Sequence, residues 1–257
     1  MLDLTLFDLT LFDLSWFQLA WIAAVFFLAF VVRGMSGFGA GMIAVPLLAF
    51  VIPLQFAVPL CSLLVFVLFV ILVIRDRREV VWAELRLLVP PTIIGALVGL
   101  WLFASLDNRM LVIMLGTFLV CYSCYMLAVS VLGLAQLRCS QRWALPIGFF
   151  GSFFDTLFGG GGGTLVVIYI NARGIGRAGF RATVAALWFT EMIARIGGYA
   201  WAGFYDRTTL LLFVALLPLM WVGTVVGERL GNRVDSETFA RILAVMLLAS
   251  GVSLLVK

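Results

Sequence analysis

The chain has 257 residues, 64% of them hydrophobic and only 12% charged, with a mean hydropathy of +1.18. A soluble domain carries about 25% charged residues, so a water-soluble globular fold is excluded and a polytopic membrane protein is indicated. The net charge of +4 comes from arginines spread through short loops, which speaks for membrane topology rather than nucleic acid. Histidine is absent and Lys257 is the one lysine, which removes the commonest metal ligand and the commonest neutral-pH base. No metal or cofactor is expected.

Residues 1–15 contain the repeat LTLFD. A step of five turns a helix by about 140°, so the repeat makes no helical stripe. It reads as an interfacial lead-in. With three aspartates and no basic start it is no signal peptide. Ten apolar segments follow, at 16–34, 38–52, 55–74, 86–105, 109–133, 144–158, 161–171, 182–203, 208–227 and 237–256. Three of them, 38–52, 144–158 and 161–171, fall short of the roughly 20 residues a helical span needs. These are expected to be broken, re-entrant or packed inside protein. Trp82, Trp101, Trp143 and Trp201 lie near segment ends, as an interfacial aromatic belt does. Cys121 and Cys124 form a CxxC inside F118-L-V-C-Y-S-C-Y-M-L, without neighbouring ligands, and read as packing; Cys61 and Cys139 stand alone.

If every segment crosses, the arginines between segments divide cleanly. Arg75, Arg77, Arg78, Arg86, Arg138, Arg142, Arg173, Arg177, Arg181, Arg229 and Arg233 fall on one side; Arg109, Arg207 and Lys257 fall on the other. Positive loops stay cytoplasmic, so both termini are expected outside a cell (inner) membrane. Two non-crossing segments would give the same parity.

The chain also repeats itself. S36-G-F-G-A-G-M-I-A-V-P46 matches F158-G-G-G-G-G-T-L-V-V-I168 at an offset of 122, and P90-P-T-I-I-G-A-L-V-G99 matches P218-L-M-W-V-G-T-V-V-G227 at 128. Five segments per half is an odd number, so the second half enters the membrane inverted. The expected fold is all-α and membrane-integral, with 8–10 helices in two inverted repeats. The halves are 16–134 and 144–257, with a cytoplasmic linker at 135–143. Inverted repeats place their site at the midplane, where short, glycine-interrupted helices break. Gly95 and Gly99, and Gly223 and Gly227, fit close helix packing. The glycine run 159–163 does not, because each glycine costs a helix nearly 1 kcal/mol relative to alanine.

A helix that restarts after a break exposes N–H groups and a positive dipole end, and so favours an anion. Helices starting near Met42 and Thr164 would present two such ends. Candidate anion-binding residues are therefore Arg33, Ser36, Gly37, Gly39, Gly41, Gly160, Gly161, Gly162, Gly163, Thr164 and Arg195. Glu191 and Asp155 are the candidate proton or ion couplers. Charges inside a membrane are functional candidates by default. The alternatives are structural: Glu191 and Arg195, four apart, as a self-neutralising pair; Arg33 snorkelling to an interface; Asp155 capping the break. Phe149, Phe150, Phe153, Phe154 and Trp188 would suit an aromatic substrate or simply face lipid or core.

Two halves that each open with G-x-G-x-G, followed by P46-L-L and a paired-small helix such as G95-A-L-V-G, resemble the TauE/SafE family of sulfite and sulfonate exporters and permeases. The proline that follows the break is kept as Pro46 and replaced by Ile168 in the second half. A57-V-P-L-C-S62 resembles the family's small or hydroxyl-bearing patch, and A182-T-V-A-A186 does so loosely. The resemblance implies secondary transport of a small anion: sulfite, thiosulfate, a sulfonate or an organic carboxylate. A passive anion channel is the competing expectation. An enzyme is not expected, since no HExxH, Ser/His/Asp set or metal-ligand cluster is present. The expected partners are a small anionic substrate and membrane lipid, no nucleic acid, and a second copy of the chain as candidate homodimer.

Overall fold

The structure, a computed structural model, describes residues 14–37, 39–132, 140–231 and 236–256, without the side chains at 36, 129–132, 177 and 236–241. The LTLFD repeat, residues 135–139 of the expected linker and the Ser36 side chain lie outside the described residues.

Ten α-helices are described: α1 Trp16–Ser36, α2 Ala40–Leu48, α3 Leu54–Asp76, α4 Trp82–Ser105, α5 Asn108–Leu132, α6 Ala144–Phe158, α7 Gly163–Ala172, α8 Arg177–Trp201, α9 Arg207–Gly231 and α10 Ser236–Val256. Five of them (α1, α3, α4, α5 and α9) are long and apolar enough to cross a membrane. The starts carry local caps. Ser15 and Gln18 form a reciprocal capping box at α1. Asp107 accepts from the Met110 N–H at 2.9 Å, and Asp206 accepts from the Thr209 N–H at 2.7 Å. The four belt tryptophans, Trp82, Trp101, Trp143 and Trp201, are exposed near helix ends.

Helices α4 and α8 begin four or five residues before their apolar segments, because their first turns are polar yet helical. Helix α2 ends at Leu48 rather than 52, where Pro53 starts α3. At nine and ten residues, α2 and α7 are about 14–15 Å long, half the roughly 30 Å hydrocarbon depth.

The helix pairing repeats between the halves. Gly95 and Gly99 of α4 lie against the backbone carbonyls of Phe149 and Phe153 in α6; Gly223 and Gly227 of α9 lie against those of Phe27 and Val31 in α1. These contacts correspond at the offsets read from the sequence, 128 for α4 and α9 and 122 for α1 and α6. In both places the missing Cβ lets backbones touch, which is what drives helix association where lipid offers no hydrophobic gain. Helices α3 and α8, third in each half, run antiparallel: Ser62 meets Arg195, Phe66 meets Phe189, Phe69 meets Trp188 and Asp76 meets Arg181. Equivalent helices in opposite directions make the repeat an inverted one.

One end of the bundle is tied by charge. Arg181 of α8 pairs with Asp76 of α3 at 2.8 Å, and Arg173 after α7 pairs with Glu84 of α4 at 2.8 Å. The Thr183 hydroxyl accepts the Val81 N–H. The arginine-rich stretches 75–86 and 173–183 therefore meet. The opposite end is closed by neutral bonds, Asn108 to the Leu54 N–H and Gln55 to the Leu106 carbonyl, and by the rings of Phe103, Tyr199 and Phe204.

Candidate functional site

Both breaks are built alike. Helix α1 stops at Gly37 (φ 83°), whose N–H donates to the Arg33 carbonyl at 2.6 Å; α6 stops at Gly159 (φ 72°), whose N–H donates to the Asp155 carbonyl at 2.9 Å. Two residues on, Gly39 (φ 90°) and Gly161 (φ 102°) turn left-handed again. All four glycines hold a backbone that an L side chain rarely adopts, and this turns each chain abruptly into its half-helix. The two breaks then interlock: Gly41 abuts the Gly159 carbonyl, and Gly160 lies against Gly41 and the Met42 nitrogen.

Between the breaks lies a cavity of about 60 Å³. At roughly 15 Å³ per water position, that is room for about four water-sized groups. Its walls are the first turns of α2 (Ala40, Gly41, Met42) and α7 (Gly163, Thr164), the glycines 39 and 159–161, and the side chains of Arg33, Asp155, Val65, Phe69, Trp188, Met192 and Arg195. The α2 start carries no side-chain cap. The buried Asp155 lines the cavity beside the start of α7, and the Thr164 hydroxyl turns back to the Gly161 carbonyl.

Two guanidiniums face this space. Arg33 is only 6% exposed and stacks over the Phe69 ring at 5.3 Å, a cation–π contact that holds it in a desolvated place. It does not snorkel. Arg195, 1% exposed, pairs with buried Glu191 at 3.5 Å and donates to the Ser62 hydroxyl at 3.2 Å. Arg33 Nη2 and Arg195 Nε are buried without a hydrogen-bond partner. A buried donor left unsatisfied costs about 1–3 kcal/mol, so this arrangement favours whatever brings acceptors. A buried ion pair is weak evidence for stability and stronger evidence for a site when it stands inside a membrane.

The sulfite exporter TauE/SafE family matches residues 22–254. That runs from within α1 to within α10, both breaks included. The chain belongs to this family. Its relatives include the "Probable inner membrane transporter protein TsaS" of Comamonas testosteroni, 30% identical over 190 residues, which is 69% of this chain and 73% of the relative. No solved structure matches. As a TauE/SafE protein the chain is a multi-pass membrane transporter.

Of the residues singled out in this TauE/SafE chain, Arg33, Gly39, Gly41, Gly160, Gly161, Gly163, Thr164, Asp155 and Arg195 all line the one cavity. Gly37 is the cap of α1 and stands back from it. Gly162 packs against the Gly151 carbonyl in α6. Glu191 sits behind Arg195 rather than in the wall. Of the aromatics, Trp188 lines the cavity, whereas Phe149, Phe150, Phe153 and Phe154 stack along α6 away from it. Phe69, Val65, Met42 and Met192 were not legible as site residues. Phe69, Val65 and Met192 lie on apolar runs of α3 and α8, where only the packing of the two helices selects which face turns inward, and Met42 marked a helix start without being singled out as lining.

Proposed function

We propose that the protein is a secondary transporter of a small anion, sulfite or an organosulfonate, bound between the two glycine breaks and moved by alternating access. The observation that carries this is the cavity itself: two half-helix starts and two guanidiniums converge on a space sized for a few heavy atoms. Arg33 and the backbone N–H groups at the α2 start are the anion ligands, and Arg195 in the same wall adds positive charge. Sulfur comes from the family description, and the anion chemistry comes from the site.

Beside the cavity two guanidiniums, Arg33 and Arg195, stand with two buried carboxylates, Asp155 and Glu191. Glu191 is the proton carrier in this reading. With both termini outside, as the arginine distribution argues, exit of a monoanion gains about 2.3 kcal/mol per 100 mV of inside-negative potential. Export therefore runs without coupling, and uptake needs the proton.

The test is counterflow in proteoliposomes with labelled sulfite, taurine and acetate. Saturable counterflow selective for the sulfur anions supports the reading. Counterflow with acetate alone keeps the transporter and discards sulfur. Flux that neither saturates nor shows counterflow makes the protein a passive channel. Arg33→Ala and Arg195→Ala should each weaken anion binding far more than Arg77→Ala in the exposed loop; equal small effects would remove the arginines from the site.

A further inference from the structure

The two breaks match in backbone and oppose in charge. Arg33 and Asp155 occupy equivalent positions, each four residues before its left-handed glycine and each giving its carbonyl to that glycine's N–H. Each also lines the same cavity. Beyond the breaks the two half-helix starts differ. At α7 the buried Asp155 stands in the cavity wall together with Gly163 and Thr164 of the first turn, so a built-in anion already sits beside that end. At α2 the N-cap is Gly39, which brings no side chain. Beside it stands Arg33, nine-tenths buried, in no ion pair among the described residues, with Nη2 unpartnered. The titratable groups acting on Arg33 are the buried Cys61 thiol and the exposed Glu228 across on α9. Arg195, by contrast, already has Glu191.

The geometry points to Asp155 as a resident anion in the cavity wall beside the α7 start, which confines a substrate's charged head to the α2 start and Arg33 and makes the site selective for monoanions over dianions. Sulfonates, hydrogensulfite and carboxylates fit; sulfate does not. This rests on the anion-transport reading above. Inside the small cavity a second negative charge has no free cation to meet and faces the Asp155 carboxylate instead. Like charges juxtaposed in a desolvated site cost several kcal/mol, and each 1.4 kcal/mol is tenfold in affinity.

The experiment is isothermal titration of the purified full chain in detergent at pH 7.5 and fixed ionic strength, with methanesulfonate as monoanion and sulfate as dianion. The wild type should bind methanesulfonate at least about tenfold more tightly than sulfate. Asp155→Asn keeps the size of the side chain and removes the charge; sulfate should then gain at least about tenfold. Asp155→Ser is the second variant, with a short neutral capping hydroxyl. Both are checked for a monodisperse peak on gel filtration. A wild type that binds sulfate as tightly as methanesulfonate overturns the inference, and this result needs no variant to fold. So does an unchanged ratio in folded Asp155→Asn and Asp155→Ser, and in both cases the anion site itself survives. A wild type that binds neither anion defeats the transport reading, and the inference with it.

Discussion

Gly41→Ala adds one methyl group where the two breaks touch. The new Cβ would overlap the Gly159 carbonyl oxygen, stand 2.7 Å from the carbonyl carbon and 3.4 Å from the Gly160 nitrogen. Ordinary contact begins near 3.4 Å, so clearing the carbonyl carbon alone parts the breaks by about 0.7 Å, and clearing the overlapped oxygen parts them by more than about 1 Å. Every atom met is backbone, and none can rotate away. Overpacking of this kind costs about 1–3 kcal/mol, and rigid neighbours place it at the upper end. Alanine returns up to about 1 kcal/mol of helix propensity to α2, leaving a net loss of about 2 kcal/mol. For a chain of this size that lowers the melting midpoint by about 4–8 °C. Gly197→Ala is the matched control. It lies on exposed α8 surface with nothing within 4 Å of an added Cβ, so the same substitution should raise the midpoint. Fluorescence-detected gel filtration of heated detergent samples measures both. Gly41→Ala should also lose anion binding, because the cavity wall moves. If Gly41→Ala melts at or above the wild type and transports normally, the two breaks do not meet as described.

Other outcomes follow from the same geometry. Arg195→Met leaves Glu191 buried without its cation and should cost about 3–5 kcal/mol, whereas Arg195→Met with Glu191→Gln should cost less than the two single changes summed; strict additivity in a denaturation cycle would show that the pair is not coupled. Glu84 accepts from the Tyr169 hydroxyl and from Arg173 Nε, both at 2.8 Å, so Tyr169→Phe and Arg173→Gln should show a coupling of about 0.5–3 kcal/mol. The Arg173 contribution, 26% exposed, should shrink in 1 M salt as screening shortens to about 3 Å. Gly161→Leu forces φ 102° on a side chain that also meets the Phe118 ring at 2.7 Å, a strain of about 1–3 kcal/mol. The protein should remain folded and lose transport, and normal transport would place the glycine break away from the site.

Much of the site was legible before any coordinates. The glycine spacing at an offset of 122 marked both breaks, and the same offset carries the matched left-handed glycines 37 and 159, 39 and 161. The four-residue spacing of Glu191 and Arg195 marked their pair. What spacing did not separate was role. Arg33 could have snorkelled, and packing against Phe69 keeps it inside. Asp155 could have been a free coupler, and the course of the second break sets it in one wall with the α7 start. Gly162 belonged to the same run as Gly161 and Gly163, yet it turns toward Gly151.

Composition and local pattern determined that the chain is a helical membrane protein, that it is doubled, and where each half breaks. These follow from the sequence because lipid demands apolar runs that satisfy their own backbone, and because a glycine run cannot continue a helix without cost. Tertiary structure decided which faces meet. The contact between Ser62 and Arg195 spans 133 residues, and that between Gly41 and Gly159 joins the two halves. Every face of an apolar segment looks alike in sequence, so only the antiparallel packing of α3 on α8 and the close approach of the glycines could gather Arg33, Asp155 and Arg195 around one cavity.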